Sequence, residues 1–356
     1  MAEVWKSNWE ETKQHFIDWW NRKGLVLDAG TVPAAKPHDD VEDPGPRPDD
    51  WHLQPEWFAK ASRYGISLRD YIGDSVPTAT INTGPGALST LLGAEPVFEP
   101  GTVWYKPCIT DPETHPPLKF DREQKWWKIH EALFRRCAEL SERNYYVGCV
   151  DWIENYDTYC QVRDNQTALT DLFDRPQFVK DKIDEINEAF FAAFDAFHEI
   201  CAHPDGSCVF WAFGMWSPGK VAKVQCDAAA MLSPEMFREF VVPALSRQCD
   251  WLDHSMFHLD GHQCIVHLDA LFEIESLDAI EWTPDPKVPD GGDPHWYDMY
   301  RRIKEAGKSV QAIHIRPEEV APLLDAVGPE GMYLAMGDLG GTSPEEVVRT
   351  VEKYRG

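Results

Sequence analysis

Short apolar runs that end in turn-forming or polar residues, separated by segments of helical periodicity, constrain this chain more than any other feature. Val76–Ile81, Tyr145–Val150, Cys208–Phe213, His254–Leu259, Ala279–Trp282, Val310–Ile315 and Met332–Ala335 each read as a strand. They run into Asn82-Thr83-Gly84, Asp151, Gly214-Met215-Trp216, Asp260-Gly261, Thr283-Pro284, Arg316-Pro317 and Met336-Gly337-Asp338 respectively. Between them lie helices with local start signals, such as Ser343-Pro344-Glu345-Glu346 and Ser233-Pro234-Glu235, where a capping serine precedes proline at the first helical position. Strands that alternate with helices of this length pair in parallel. Their number and spacing suit an α/β fold of the (β/α)8 TIM-barrel kind, with the strand ends gathered on one rim. No Gly-x-Gly-x-x-Gly or phosphate-loop lysine motif occurs, which removes the usual sequence signal for a nucleotide-binding open sheet.

Before residue 76 the pattern is different. Trp9, Phe16, Ile17, Trp19 and Trp20 recur at helical spacing, and the stretch from Thr31 to Asp50 is dense in Pro and Asp. Residues 1–75 therefore read as an N-terminal helical arm with an irregular acidic loop, and 76–356 as the barrel. The aromatic residues of the arm permit a homodimer without requiring one.

Charge narrows the partners. The formal net charge of -26 opposes nucleic acids and anionic membrane surfaces, because both are bound mainly through Lys and Arg. No run of eighteen apolar residues occurs, and the N-terminus carries Glu3, Lys6, Glu10 and Glu11 where a secretory signal would be apolar. Nine scattered cysteines without a Cys-x-x-Cys pair read as reduced thiols. A soluble cytoplasmic protein acting on a small-molecule substrate is expected.

The chemistry concentrates at His258-Leu259-Asp260-Gly261. Residues i and i+2 of a strand share a face, so His258 and Asp260 point into one space where the strand ends. Asp227, at the start of a turn before a capped helix, either binds loop amides or charges His258. Arg316 ends a strand and could hold a substrate anion, although the many surface acids compete for it. Trp211 and Trp216 flank Gly214 and could form a flat wall for a planar or methylated ligand, including a quaternary ammonium. His254, His262 and His267 read as structural or solvent-facing.

Asn82-Thr83-Gly84-Pro85-Gly86, Leu172-Phe173-Asp174-Arg175-Pro176, Cys226-Asp227-Ala228 running into Met231-Leu232-Ser233-Pro234, and His258-Leu259-Asp260-Gly261 resemble the uroporphyrinogen decarboxylase superfamily. The resemblance covers the chain from about residue 75. It implies a (β/α)8 barrel and either tetrapyrrole decarboxylation or zinc-dependent methyl transfer between small methylated compounds, thiols and corrinoid proteins. The decarboxylase's arginine-rich N-terminal motif is missing, since this chain has Trp19-Trp20-Asn21-Arg22-Lys23 and then an acidic loop. The methyltransferases carry His-x-Cys where His258-Leu259-Asp260 stands, and a second Cys near the strand that ends at Asp338. The resemblance therefore implies a divalent metal, zinc in the relatives, held here by His258, Asp260 and Asp338. Two carboxylates make that site harder, so Mn²⁺ or Fe²⁺ would also suit it.

A methyltransferase working with a thiol or a corrinoid protein is the leading expectation. A lyase or decarboxylase using His258 and Asp227 on a carboxylated small molecule is the alternative, and a non-catalytic ligand-binding barrel is the third reading.

Overall fold

The computed structural model describes residues 4–99 and 102–355. Its strands are β1 Leu25–Pro33, β2 Arg69–Gly73, β3 Thr78–Ala79, β4 Glu95–Glu99, β5 Thr102–Lys106, β6 Tyr146–Val147, β7 Cys208–Phe210, β8 Met215–Ser217, β9 Val221–Gln225, β10 His254–Asp260, β11 Ala279–Thr283, β12 Ser309–Ile315 and β13 Met332–Met336. A central seven-stranded sheet has the order β2-β1-β13-β12-β11-β10-β9. All its neighbours are parallel except β1 and β2, which are antiparallel. The mixed α/β character follows from the alternation of strands and helices. β3 and β6 form a separate parallel pair, while β4–β5 and β7–β8 are antiparallel hairpins.

The N-terminal segment departs from the expected arm and loop. Trp9–Trp20 is a helix, as the aromatic spacing predicts, but Leu25–Pro33 joins the central sheet beside β13. Leu25, Val26 and Leu27 are fully buried there. Three apolar residues are too short a signal to separate a central strand from a loop next to so much Pro and Asp. The acidic stretch beyond Pro33 lies against the helices Pro55–Ser67 and Lys125–Ser141. Arg63 pairs with Asp39, and His38 N–H donates to Ser67 O at 2.8 Å.

Register explains the interior. Gln225, His258, Glu281, Gln311, Tyr333 and Val26 pair in one row across β9, β10, β11, β12, β13 and β1. Residues paired in this way face the same side of a sheet. Gln225, Glu281, Gln311 and Tyr333 are all buried. Apolar residues make up most of the rest of β9–β13, apart from buried Lys223, Ser255 and Ser309, because helices and core side chains cover the sheet. A run of polar side chains from Gln225 to Tyr333 thus crosses the middle of a buried sheet, and such groups are retained only with hydrogen-bond partners or a ligand.

The Cys208–Phe213 run divides in two. Only Cys208–Phe210 is strand; the backbone turns over at Phe213 (φ +64°) and Gly214 (φ +62°) and returns as β8. This hairpin places Phe213 over the sheet and sends Trp216 back into the core.

Candidate metal centre

β10 and the turn after β9 build the site. His258 lies in the middle of the polar row, and Asp260 follows at the carboxyl end of the same strand. Asp227 begins the 3-10 turn Asp227–Met231. One side-chain donor atom from each of Asp227, His258 and Asp260 falls within 4.8 Å of the others. Gly261 ends the strand with φ +80°; a Cβ there would sit 3.0 Å from Asp285 Oδ1, so glycine is needed for the chain to leave toward 262–267.

The imidazole is oriented from behind. Its Nδ1 lies 2.5 Å from Glu281 Oε2, and the other Glu281 oxygen accepts from Thr283 Oγ1 at 2.7 Å. A carboxylate at Nδ1 holds a proton there and leaves Nε2 free toward Asp227 Oδ1, 4.0 Å away. Burial pushes the imidazole toward its neutral form, but the Glu281 charge and hydrogen bond outweigh it, and the pKa of His258 lies above its usual value. Phe213 covers the ring with centroids 4.8 Å apart, and Gln311 Nε2 fixes Phe213 by donating to its carbonyl at 2.8 Å.

Asp227 is held by its backbone and left free at its carboxylate. Asp157 accepts from Asp227 N–H at 2.7 Å, Ala228 N–H at 2.9 Å and Gln225 Nε2 at 3.1 Å. The Asp227 side chain is 47 % exposed, yet it is sunk among protein groups deeply enough that desolvation, with Asp157 second, raises its pKa to about 7. Beneath it, Lys223 pairs with Asp151 at 2.7 Å and is almost fully buried. Glu154 is also fully buried and accepts from Gln225 N–H at 2.9 Å; burial pushes its pKa well above the usual carboxylate value.

The donor set fits a divalent cation: two carboxylates, one imidazole of fixed tautomer and a buried carboxylate behind that imidazole. No thiol belongs to it. Cys264 is near Asp227 and Asp260, but burial raises its thiol to about 12, and burial also pushes the Cys226 thiol well above its usual value. All nine cysteines are free.

Two cavities adjoin the centre. One, of about 500 Å³, is lined by Asp227, Asp157, Asp164, Tyr105, Ile153 and Met231 among others. The second, of about 400 Å³, is bounded by Asp28, Ser75, Trp211, Phe213 and Gln311.

The expected residues are distributed unevenly over this geometry. His258, Asp260 and Asp227 come together, and Trp211 reaches the second cavity. Asp338 does not join them: its Oδ1 accepts Gly340 N–H at 2.9 Å, and the preceding Gly337 is packed on the His314 backbone. Asp227 takes the place given to Asp338 in the expected metal set. Arg316 is engaged by Glu319 in a capping arrangement at the start of helix Pro317–Val327. Trp216 is buried against Trp9 and Phe16, and its Nε1 donates to Tyr146 Oη at 3.0 Å, so it forms no ligand wall. Sequence reasoning missed Glu281, although a charged residue inside Ala-Ile-Glu-Trp-Thr is the signal that could have found it. His254 stacks on Trp20, His267 Nε2 bonds Ala229 O at 3.0 Å, and His262 pairs with Asp285 at 2.7 Å.

No family model and no curated protein matches this chain. Among solved structures, a methyltransferase from Methanosarcina mazei superposes with a TM-score of 0.61 at 12 % sequence identity, covering 97 % of this chain and 99 % of that one. At that identity the likeness concerns the fold. No helix among the described residues is long and apolar enough to cross a membrane.

Proposed function

We propose that this chain is a methyltransferase of the uroporphyrinogen decarboxylase-like kind, moving a methyl group between a small methylated compound and a thiol or a corrinoid protein. The observation that carries the proposal is the trio Asp227, His258 and Asp260 with Glu281 behind the histidine. The likeness in fold to a methyltransferase supports it. A closed (β/α)8 arrangement belongs to the same proposal, supported by the parallel β3–β6 pair and by the parallel bridge between Cys149 and Phe210.

Asp227, His258 and Asp260 are the residues that would hold a divalent ion, with Zn²⁺, Mn²⁺ and Fe²⁺ all compatible with their donor atoms. Such an ion supplies Lewis acidity that lowers a thiol's pKa and makes thiolate available at neutral pH. The chain's own residues do the rest. Glu281 keeps the Nδ1 proton and presents Nε2. Phe213 shields the imidazole from water, which strengthens the interactions beneath it. The two cavities leave room for a methyl donor on one side and an acceptor on the other.

The lyase alternative is weaker here, because a carboxylated substrate needs cationic partners. Arg316 is committed to Glu319, and no Lys, Arg or His lines either cavity among the described residues. The test is methyl transfer by chelator-treated protein to a small thiol, with and without added Zn²⁺ or Mn²⁺. Metal-dependent thioether formation that His258→Ala abolishes supports the reading. Equal rates with and without metal, or full activity in His258→Ala, would remove it.

A further inference from the structure

We infer that the methyl donor is a small quaternary ammonium cation, seated in the cavity of about 500 Å³ beside Asp227. This rests on the methyl-transfer reading and adds the charge of the substrate. The cavity presents Asp157, Asp164 and Asp227, with no Lys, Arg or His among the described residues that line it. The cations nearest the centre already have partners, since Lys223 is paired with Asp151 and His258 with Glu281. A divalent ion on the trio would offset Asp227 and Asp260, leaving the charges of Asp157 and Asp164 facing the cavity.

Those two carboxylates have charge to offer, and protein donors already engage three of their four oxygens. Asp157 accepts from two backbone amides and from Gln225 Nε2, and Asp164 Oδ1 accepts Thr167 N–H at 3.0 Å. A cation rich in N–H donors would find both Asp157 oxygens and Asp164 Oδ1 already engaged, with Asp164 Oδ2 the one oxygen of the two side chains left to it. A cation without N–H groups needs only their field and an apolar wall, which Ile153, Met231 and Tyr105 provide. Met231 is 54 % exposed although it is large and apolar. The chain's net charge of -26 draws cations toward the molecule in the same sense.

The reaction balances. The thiolate lone pair attacks a methyl carbon as the C–N bond breaks, and its electron pair stays on nitrogen. The products are a neutral thioether and a neutral tertiary amine. The tertiary amine leaves the C–N cleavage with its lone pair and takes up a proton from water at neutral pH.

The experiment is equilibrium binding of tetramethylammonium to the full chain, beside tert-butanol as a neutral probe and pivalate as an anionic one, at two salt concentrations. Tetramethylammonium is expected to bind about tenfold or more tightly than tert-butanol, with affinity falling as salt rises, and pivalate is expected not to bind. Asp164→Asn retains the helix cap and tolerates the positive φ of +90°; it should weaken the cation roughly threefold. Met231→Lys, at an exposed position, should abolish binding. Equal or tighter binding of tert-butanol or pivalate, or unchanged cation affinity in both variants, overturns the inference. A cation that binds as described but transfers no methyl overturns the proposed function and leaves the charge preference standing. Methyl transfer from a neutral or anionic donor does the reverse.

Discussion

His258 Nδ1 and Glu281 Oε2 lie 2.5 Å apart across the adjacent strands β10 and β11, at positions that register pairs directly. Glu281 is fully buried, so its charge acts on the imidazole through little solvent. Glu281→Gln should therefore weaken divalent-metal binding by about 10–100-fold while leaving the three donor residues in place. Isothermal titration of chelator-treated protein checks this, and an unchanged affinity would show that the carboxylate is not orienting the ligand.

The same pair has a pH signature in metal-free protein. Because the folded pKa of His258 is raised, the stabilisation from its protonated form is complete below the unfolded value of about 6.5 and is lost as pH rises through the folded value. NMR titration of the His258 ring should give a pKa above the ordinary histidine value, and Glu281→Gln should bring it down.

Asp227 runs against the habit of carboxylates. Its pKa is raised to about 7, so the folded state holds a proton that the unfolded state releases, and the metal-free protein loses stability as pH rises from about 4 to about 7. Asp227→Asn should stabilise the metal-free chain against denaturant at pH 8, have little effect at pH 4, and abolish metal binding. Destabilisation at pH 8 would contradict the desolvated-carboxylate account.

Sequence separated these residues with uneven success, and the reasons are physical. His258 and Asp260 were legible because period-2 alternation alone places them on one face at a strand end. Asp227 was visible as a polar residue at a turn, but its distance from His258 depends on β9 and β10 pairing in register. Asp338 was misplaced because a strand end shows that a residue reaches the carboxyl end of the sheet, not which way the following loop turns; packing of Gly337 on His314 decides that. Trp216 was misread because two tryptophans flanking a glycine look alike until the hairpin at Phe213 sends one outward and one into the core. Glu281 needed the pairing register to be seen as the partner of His258.

The tryptophans offer a direct separation of packing from function. Trp216 is 2 % exposed between Trp9, Phe16 and Tyr146, so Trp216→Ala should cost about 3–5 kcal/mol of stability without a selective effect on ligand binding. Trp211→Ala should alter ligand affinity through the second cavity at a smaller stability cost. Denaturant midpoints and binding constants measured on both variants check the contrast, which would fail if their effects were interchanged.

Metal stoichiometry and affinity tie these strands of argument together. Chelator-treated full-length chain, titrated with Zn²⁺ and Mn²⁺, should bind one divalent ion per chain. His258→Ala, Asp260→Ala and Asp227→Asn should each lose that ion, and Asp338→Asn should keep it with wild-type affinity. A wild-type chain that binds no ion, or His258→Ala and Asp260→Ala variants that bind it as tightly as wild type, would contradict a metal centre at Asp227, His258 and Asp260.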